Sequence, residues 1–181
     1  GIYYSEFSRG AFDITIGSVS SLWDFKEAKT VPSSDAIQEA LTHVNYKNIH
    51  IQNNTVQLTD PYTQIDLGAI AKGYIADRIK DYLEEQDVKH ATINLGGNIQ
   101  TIGTKPDGSD YNIGIQKPFD ETGEPITSVK IKDKSIVTTG IYQRYFEQDG
   151  TLYHHVLDPR TGMPCDTDLY SVSIITDSSL T

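Results

Sequence analysis

The stretch from residue 66 to residue 98 constrains the fold of this chain more than any other segment. It reads DLGAIAKGY over residues 66–74, continues as a helical pattern and ends in NLGGN over residues 94–98. A glycine turn that opens a helix leaves free N–H groups at the helix start, and these groups attract an anion. Lys72 falls in or near the first turn, where a cation opposes the helix dipole. The pattern therefore indicates either a phosphate bound at this helix start or a solvated lysine at an ordinary strand–helix–strand joint.

The composition disfavours several classes of partner. The 181 residues are enough for one domain with a core, and they carry a formal net charge of −10 at pH 7. The 15 basic residues do not cluster, so duplex nucleic acid or an anionic membrane surface is disfavoured as the main partner. Cys165 is the single cysteine, which excludes an internal disulfide and a cysteine-based metal site. We find no Ser-, Pro- or Gly-rich linker and predict one domain over residues 1–181.

Hydrophobic periodicity predicts an α+β chain with several antiparallel hairpins and two main helices. One amphipathic stripe follows a serine cap, and the second lies inside the central stretch. Turn residues between apolar runs predict three hairpins, at residues 49–58, 98–115 and 144–156. Residues 11–17 are typical of a short strand or an extended loop, which would place Asp13 and Thr15 on one face.

Four motifs follow one another along the chain. They are GAFDITIG at residues 10–17 with Leu22-Trp23, DLGAIAKG at 66–73, NLGGN at 94–98 and HVLDPRTG at 155–162. This order resembles the FAD:protein FMN transferase family, known as ApbE, and the resemblance spans nearly the whole chain. It implies a mixed α/β, T-fold-like domain.

The resemblance also implies an activity. Members of the family cleave the pyrophosphate of FAD, place the FMN half on a Thr or Ser of a target flavoprotein through a phosphoester, and release AMP. A divalent cation, usually Mg²⁺, is required. Some members also hydrolyse FAD to FMN and AMP. The sequence leaves three alternatives open: a transferase, an FAD pyrophosphatase and a flavin-binding module without catalysis.

The family match assigns roles to individual residues. Lys72 corresponds to the phosphate-binding lysine, and the backbone carbonyl of Ala69 corresponds to a metal ligand, which suits an oxygen-seeking ion. His155 corresponds to the active-site histidine and would take the proton from the incoming hydroxyl. Gly96 and Gly97 would let the backbone approach the nucleotide closely.

The resemblance places the remaining candidates around the cofactor with less detail. Asp13, Thr15 and Thr139 are candidate cofactor-binding residues, as is Asp66, which either orients the site or simply forms a turn. Trp23 either lines the flavin or belongs to the core. Asp158 and Thr161 are expected to build the loop that fixes His155. His154 points to the opposite strand face, so we expect it to be structural or exposed.

The chain lacks two features that members of the family normally have. They carry a further N-terminal region, and they carry side-chain metal ligands just after the last strand, here expected beyond Thr181. We therefore expect the domain to be incomplete at both ends, and the sequence leaves open whether this length of chain is active by itself. The family further implies a bacterial cell-envelope location, on the periplasmic or extracytoplasmic face, with a lipid anchor in the full-length protein.

Overall fold

Two units make up the computed structural model, which describes residues 1–120 and 122–180. Unit 1 comprises Gly1–Leu67 with Gln143–Asp168, and unit 2 comprises Gly68–Tyr142 with the segment from Leu169 onward. The prediction of one domain over residues 1–181 is not decided by this division and stays a prediction.

The helices lie in the first half of the chain, and most of the strands follow the last helix. The helices are α1 (Ile2–Phe7), α2 (Gly17–Ser20), α3 (Ser34–Leu41) and α4 (Gly68–Glu85), and a 3₁₀ turn spans Tyr46–Asn48. The strands are β1 (Ile49–Gln52), β2 (Thr55–Leu58), β3 (Ala91–Leu95), β4 (Asn98–Ile102), β5 (Tyr111–Gln116), β6 (Pro125–Ile131), β7 (Ser135–Gly140), β8 (Tyr145–Gln148), β9 (Thr151–His154) and β10 (Ser171–Thr176). In the described part of the chain, no helix combines the length and the apolar composition needed to cross a bilayer.

Each pair of named strands within residues 1–120 and 122–180 is antiparallel. Unit 1 contains the hairpins β1–β2 and β8–β9, and unit 2 contains the hairpin β5–β6 and a sheet in the order β10–β7–β4–β3. Helix α4 packs on β3 and β4 of that sheet. The α+β class, the two longer helices α3 and α4, and two of the three predicted hairpins are therefore confirmed.

Local chemistry explains several of these elements. The Ser33 hydroxyl caps α3 by accepting the Ala36 N–H at 3.3 Å. Asn53 and Asn54 join β1 to β2 with φ of 49° and 60°, a left-handed geometry that Asn tolerates. Each element of this kind is set by residues that are neighbours in sequence.

The short strand, one of the two alternatives predicted for residues 11–17, is wrong. Asp13 Oδ1 accepts both the amide and the hydroxyl of Thr15, at 2.8 and 2.6 Å, and these bonds turn the chain back instead of extending it. Ile16 forms one parallel bridge to Gln64, and α2 starts at the next residue. Asp13 and Thr15 therefore contact each other directly rather than lying side by side on a strand.

The predicted hairpin over residues 98–115 is also wrong. Strand β4 pairs with β3 and β7, and β5 pairs with β6. The residues between β4 and β5 do form a turn, since Lys105 and Ser109 bond through their backbones at 2.9 Å. The turn was recognisable, but the two strands that flank it belong to different sheets.

Each unit has its own apolar core. In unit 1, Trp23 packs with residues of α2, α3 and β8; the buried members are Val19, Trp23, Ile37, Ala40 and Phe146. In unit 2, Ala76 of α4 is completely buried, and buried isoleucines stand on the strands at positions 93, 102, 131 and 136. Burial of these side chains provides the main stabilisation of each unit.

Candidate functional site

The start of helix α4 presents two predicted site residues to solvent. Ala69 and Lys72 lie in its first five residues, and both are exposed. Among residues 1–120 and 122–180, no carboxylate lies within ion-pair distance of Lys72. Further along the same helix, Lys80 pairs with Asp133 at 3.1 Å. A cation near a helix N-terminus that has no carboxylate partner is suited to bind an anionic ligand.

The turn between β3 and β4 exposes a stretch of backbone. Gly96 and Gly97 have φ of 60° and 89°, and a Cβ added to either would meet no atom within 4 Å. Asn94 Oδ1 accepts the Gly97 N–H at 3.0 Å and so stabilises the turn. The glycines are needed for their backbone angles rather than for packing, and they leave the peptide groups open to a ligand. Thr139, on β7 of the same unit, is exposed.

The Asp13 carboxylate accepts hydrogen bonds from other residues of unit 1. Its carboxylate is 6% exposed. Besides the two bonds to Thr15, Oδ2 accepts the Tyr46 N–H at 2.9 Å. Thr15 is completely buried. Both carboxylate oxygens therefore stabilise the protein's own backbone, and the predicted cofactor role of Asp13 and Thr15 stays a prediction.

Asp66 is fixed within unit 1 through its backbone and its side chain. Its N–H donates to the Ile14 carbonyl at 2.7 Å, and its Oδ2 accepts the Ser20 hydroxyl at 3.1 Å. The Ile14 bond places Asp66 beside the Asp13–Thr15 turn. These contacts suit both predicted roles of Asp66, an orienting residue and a turn former.

His155 follows β9 directly. Its N–H donates to the Arg144 carbonyl at 3.1 Å, and its Nδ1 lies 3.3 Å from the same oxygen. A carbonyl can only accept, so this contact requires the proton on Nδ1. The lone pair of the neutral ring then lies on Nε2, which is the form that a general base needs.

A closed loop supports His155 on its C-terminal side. Asp158 accepts the backbone N–H and the guanidinium of Arg160, and this pairing holds the pKa of the Asp158 carboxyl below its ordinary value. The Asp158 carbonyl accepts the Gly162 N–H at 2.8 Å, and Trp23 Nε1 donates to the Gly162 carbonyl at 3.0 Å. Thr161 contributes its hydroxyl, which accepts the Met163 N–H at 3.3 Å.

His154 and Trp23 have structural surroundings. His154 is 4% exposed. Its Nε2 donates to the Cys165 carbonyl at 3.2 Å, and its Nδ1 accepts the Val156 N–H at 3.3 Å. Burial lowers the pKa of His154.

Trp23 stacks on Phe25 with 5.6 Å between ring centroids and is 6% exposed, which supports the core role rather than the flavin contact.

The described residues do not by themselves form a magnesium site. In the two described ranges, no group of three or more His, Cys, Asp or Glu residues is placed to hold a metal ion. The Ala69 carbonyl is an oxygen ligand of the right kind, but a single carbonyl does not complete the coordination that Mg²⁺ demands. The further ligands that the family resemblance implies are a prediction that falls outside the described residues.

The predicted site residues divide between the two units. Unit 1 holds Asp13, Thr15, Asp66 and His155, and unit 2 holds Ala69, Lys72, Gly96, Gly97 and Thr139.

The sequence did not single out Asp77, whose carboxylate makes three hydrogen bonds to residues 178–180. No local signal identifies it, because its partners lie about a hundred positions away.

Comparison with known proteins identifies the family. The family model described as the ApbE family matches residues 1–181. The chain belongs to the ApbE family. A protein named FAD:protein FMN transferase from Klebsiella pneumoniae (strain 342) is 44% identical over 173 residues, which cover 94% of this chain and 53% of the relative. Another of the same name, from Treponema pallidum (strain Nichols), is 38% identical over 194 residues and covers 98% of this chain and 54% of the relative.

Solved ApbE structures have the same fold. The ApbE protein of Thermotoga maritima aligns with a TM-score of 0.89 at 36% identity, covering 99% of this chain and 59% of that one. The flavin transferase ApbE of Vibrio cholerae aligns with a TM-score of 0.85 at 30% identity, covering 99% and 58%. The chain therefore spans about half the length of the curated relatives it matches.

Proposed function

We propose that the protein containing this chain is an FAD:protein FMN transferase. A Thr or Ser hydroxyl of a target flavoprotein attacks the phosphorus of the FMN half of FAD. A phosphoester bond forms to the protein, the pyrophosphate P–O bond breaks, and AMP leaves. The names of the Klebsiella and Treponema relatives support this activity.

The observation that carries the proposal is Lys72 at the start of α4. It is exposed, and its position opposes the helix dipole, so helix stability does not explain it. A pyrophosphate in this place gives the lysine a partner and uses the N–H groups of the helix start. Lys72 then binds the phosphates and stabilises the charge that develops as AMP leaves.

His155 supplies the base in this scheme. With Nδ1–H held by the Arg144 carbonyl, Nε2 is the atom that receives the hydroxyl proton. The exposed backbone at Gly96 and Gly97, which carries no side chain, lets the nucleotide approach closely. Asp66, Thr139, Asp13 and Thr15 are proposed as cofactor-side residues with supporting rather than chemical roles.

Mg²⁺ dependence, the Thr or Ser acceptor and an envelope location with a lipid anchor belong to the same proposal. The Ala69 carbonyl would be one metal ligand, and an ion held there would supply charge stabilisation to the pyrophosphate. An FAD pyrophosphatase, with water in place of the hydroxyl, uses the same residues. Incubation with FAD and a candidate acceptor distinguishes the two, because only the transferase leaves FMN covalently bound to protein.

Substitution of Lys72 tests the phosphate role. In the complete protein, Lys72→Ala should weaken FAD binding by roughly tenfold or more, since a hydrogen bond to a charged group is worth about 1.5–3 kcal/mol. Flavin fluorescence titration measures the affinity. Lys80→Ala, which removes a lysine from the same helix, is the control and should leave the FAD affinity within about twofold. Equal affinities for Lys72→Ala and the unaltered protein would refute the role.

Substitution of His155 tests the base. His155→Ala should lower the transfer rate by roughly 10²-fold while FAD affinity stays within about threefold. Rapid-quench measurement of FMN bound to the acceptor gives the rate. The exposed His50 provides the control variant, His50→Ala, with an unaltered rate. Transfer at the ordinary rate by His155→Ala would remove the residue from the mechanism.

A further inference from the structure

The end of the described chain is bound to helix α4 through one carboxylate. Asp77 Oδ1 accepts the Ser179 N–H at 2.7 Å, and Oδ2 accepts the Leu180 N–H at 3.0 Å and the Ser178 hydroxyl at 2.7 Å. Three donors from three consecutive residues thus converge on one side chain. Hydrogen bonds to an ionised acceptor are roughly twice as strong as those between neutral groups.

Two further contacts seat the same turn, residues 178–180, on unit 2. Ser179 is 9% exposed, and its hydroxyl donates to Asn98 Oδ1 at 2.6 Å. The Ser179 carbonyl lies against Gly73, where an added Cβ would stand only 2.3 Å from that oxygen. Only glycine permits this approach, since real Cβ atoms essentially never come so close. The turn therefore fits against α4 between Gly73 and Asp77.

This contact lies close to the exposed helix start. Within α4, Gly73 and Ala76 are buried, whereas Ala69 and Lys72 are exposed. Helix ends fray unless tertiary contacts hold them. The turn packs on Gly73, which is adjacent to Lys72, so its position determines how firmly the first turns of the helix are held.

We propose that Asp77 is a positioning residue for the phosphate site, because it locks the turn of residues 178–180 against the part of α4 that presents Lys72 and the Ala69 carbonyl. The inference rests on the proposed function, since it assumes that this helix start binds the FAD pyrophosphate. Asp77 acts through Lys72 and does not itself contact FAD. Loss of the carboxylate releases the turn, and the lysine is then held less precisely in front of the phosphates.

The test is a double-mutant cycle in the complete protein. Asp77→Asn should raise the dissociation constant and the KM for FAD about tenfold, which corresponds to about 1.4 kcal/mol, with kcat changed much less. In the Lys72→Ala background the same substitution should change FAD affinity by less than about twofold, because residues that act through one another are not additive. Asp81→Asn is the matched control. Asp81 lies one turn further on and pairs with exposed Arg78, so FAD affinity should not change.

A second substitution, at Gly73, displaces the same turn by a steric clash. Gly73→Ala pushes the Ser179 carbonyl away and should raise the KM for FAD as Asp77→Asn does. If Asp77→Asn does not fold, Ser178→Ala removes one of the three bonds and should raise the dissociation constant about threefold. Hydrogen exchange at residues 69–72 should become faster in each variant.

The possible results distinguish a failure of the positioning role of Asp77 from a failure of the proposed function. If the unaltered protein binds FAD and Asp77→Asn binds it equally well, the positioning role is refuted and the proposed function stands. If the effects of Asp77→Asn and Lys72→Ala on FAD affinity simply add, Asp77 does not act through Lys72. The positioning role is then refuted, and the proposed function stands. If the unaltered protein binds no FAD, the proposed function fails, and the positioning role fails with it.

Discussion

Replacing Asp13 by Ala removes three hydrogen bonds from the interior of unit 1. The carboxylate is 6% exposed and accepts the Thr15 amide, the Thr15 hydroxyl and the Tyr46 amide. Each buried donor left without a partner costs about 1–3 kcal/mol. The Thr15 amide is sealed from solvent, since Thr15 is completely buried. An open cleft of about 470 Å³ is lined by Asp13 and Tyr46, so water can partly satisfy the Tyr46 amide.

Together, the three lost hydrogen bonds should lower the free energy of unfolding of unit 1 by about 3 kcal/mol. Most of this loss comes from the Thr15 amide and hydroxyl. Trp23 is the only tryptophan of the 181 residues and lies in the core of this unit. Urea denaturation followed by its fluorescence therefore measures the effect. The expected result is a lower midpoint with an unchanged slope.

A matched control separates burial from the number of hydrogen bonds. Asp24 also accepts three backbone amides, from residues 26–28, but in an exposed loop. Asp24→Ala should lower the midpoint far less, because water replaces the carboxylate. If Asp13→Ala keeps the ordinary midpoint and instead loses FAD affinity, the carboxylate serves the ligand and the structural interpretation is wrong.

Two further predictions concern unit 1. Burial lowers the pKa of His154, so the folded state binds a proton on this ring less readily than the unfolded chain does. The free energy of unfolding should therefore fall as the pH drops below about 6.5. His154→Gln should flatten this dependence, as measured by urea midpoints from pH 7.5 to 5. Gly162 has φ of 69°, and an added Cβ would lie 2.6 Å from Ile37 Cγ2, so Gly162→Ala should cost roughly 2–4 kcal/mol. Gly150 has φ of 76° and open space around it, so Gly150→Ala should cost only about 1–2 kcal/mol; equal losses at the two glycines would refute the packing argument.

Local patterns predicted those elements whose cause is local. The serine cap of α3, the Asn-Asn turn between β1 and β2 and the start of α4 at Gly68 each depend on residues within a few positions of one another. The same logic failed at residues 11–17, where alternation favoured a strand. There the Asp13 side chain competes for the Thr15 amide and bends the chain.

The candidate residues of the two units were predictable to different extents. The exposed position of Lys72 follows from the glycine turn and the helix that it opens. The surroundings of His155 do not follow from its motif, because the Arg144 carbonyl that selects its tautomer belongs to the neighbouring strand region of the hairpin. The motif residue Asp158 instead pairs with Arg160, two positions away.

The sequence alone determined the α+β class, the glycine and asparagine turns, the helix start with Lys72 and the family. These features depend on backbone angles and short-range hydrogen bonds, which residue types specify directly. Only the tertiary structure decided that β4 pairs with β7, that Asp13 accepts the Tyr46 amide and that Asp77 binds the turn at residues 178–180. A buried polar group takes whichever partner the packed chain brings within reach, because leaving it without one is costly. That choice depends on distance in space, and the spacing of residues along the chain does not contain it.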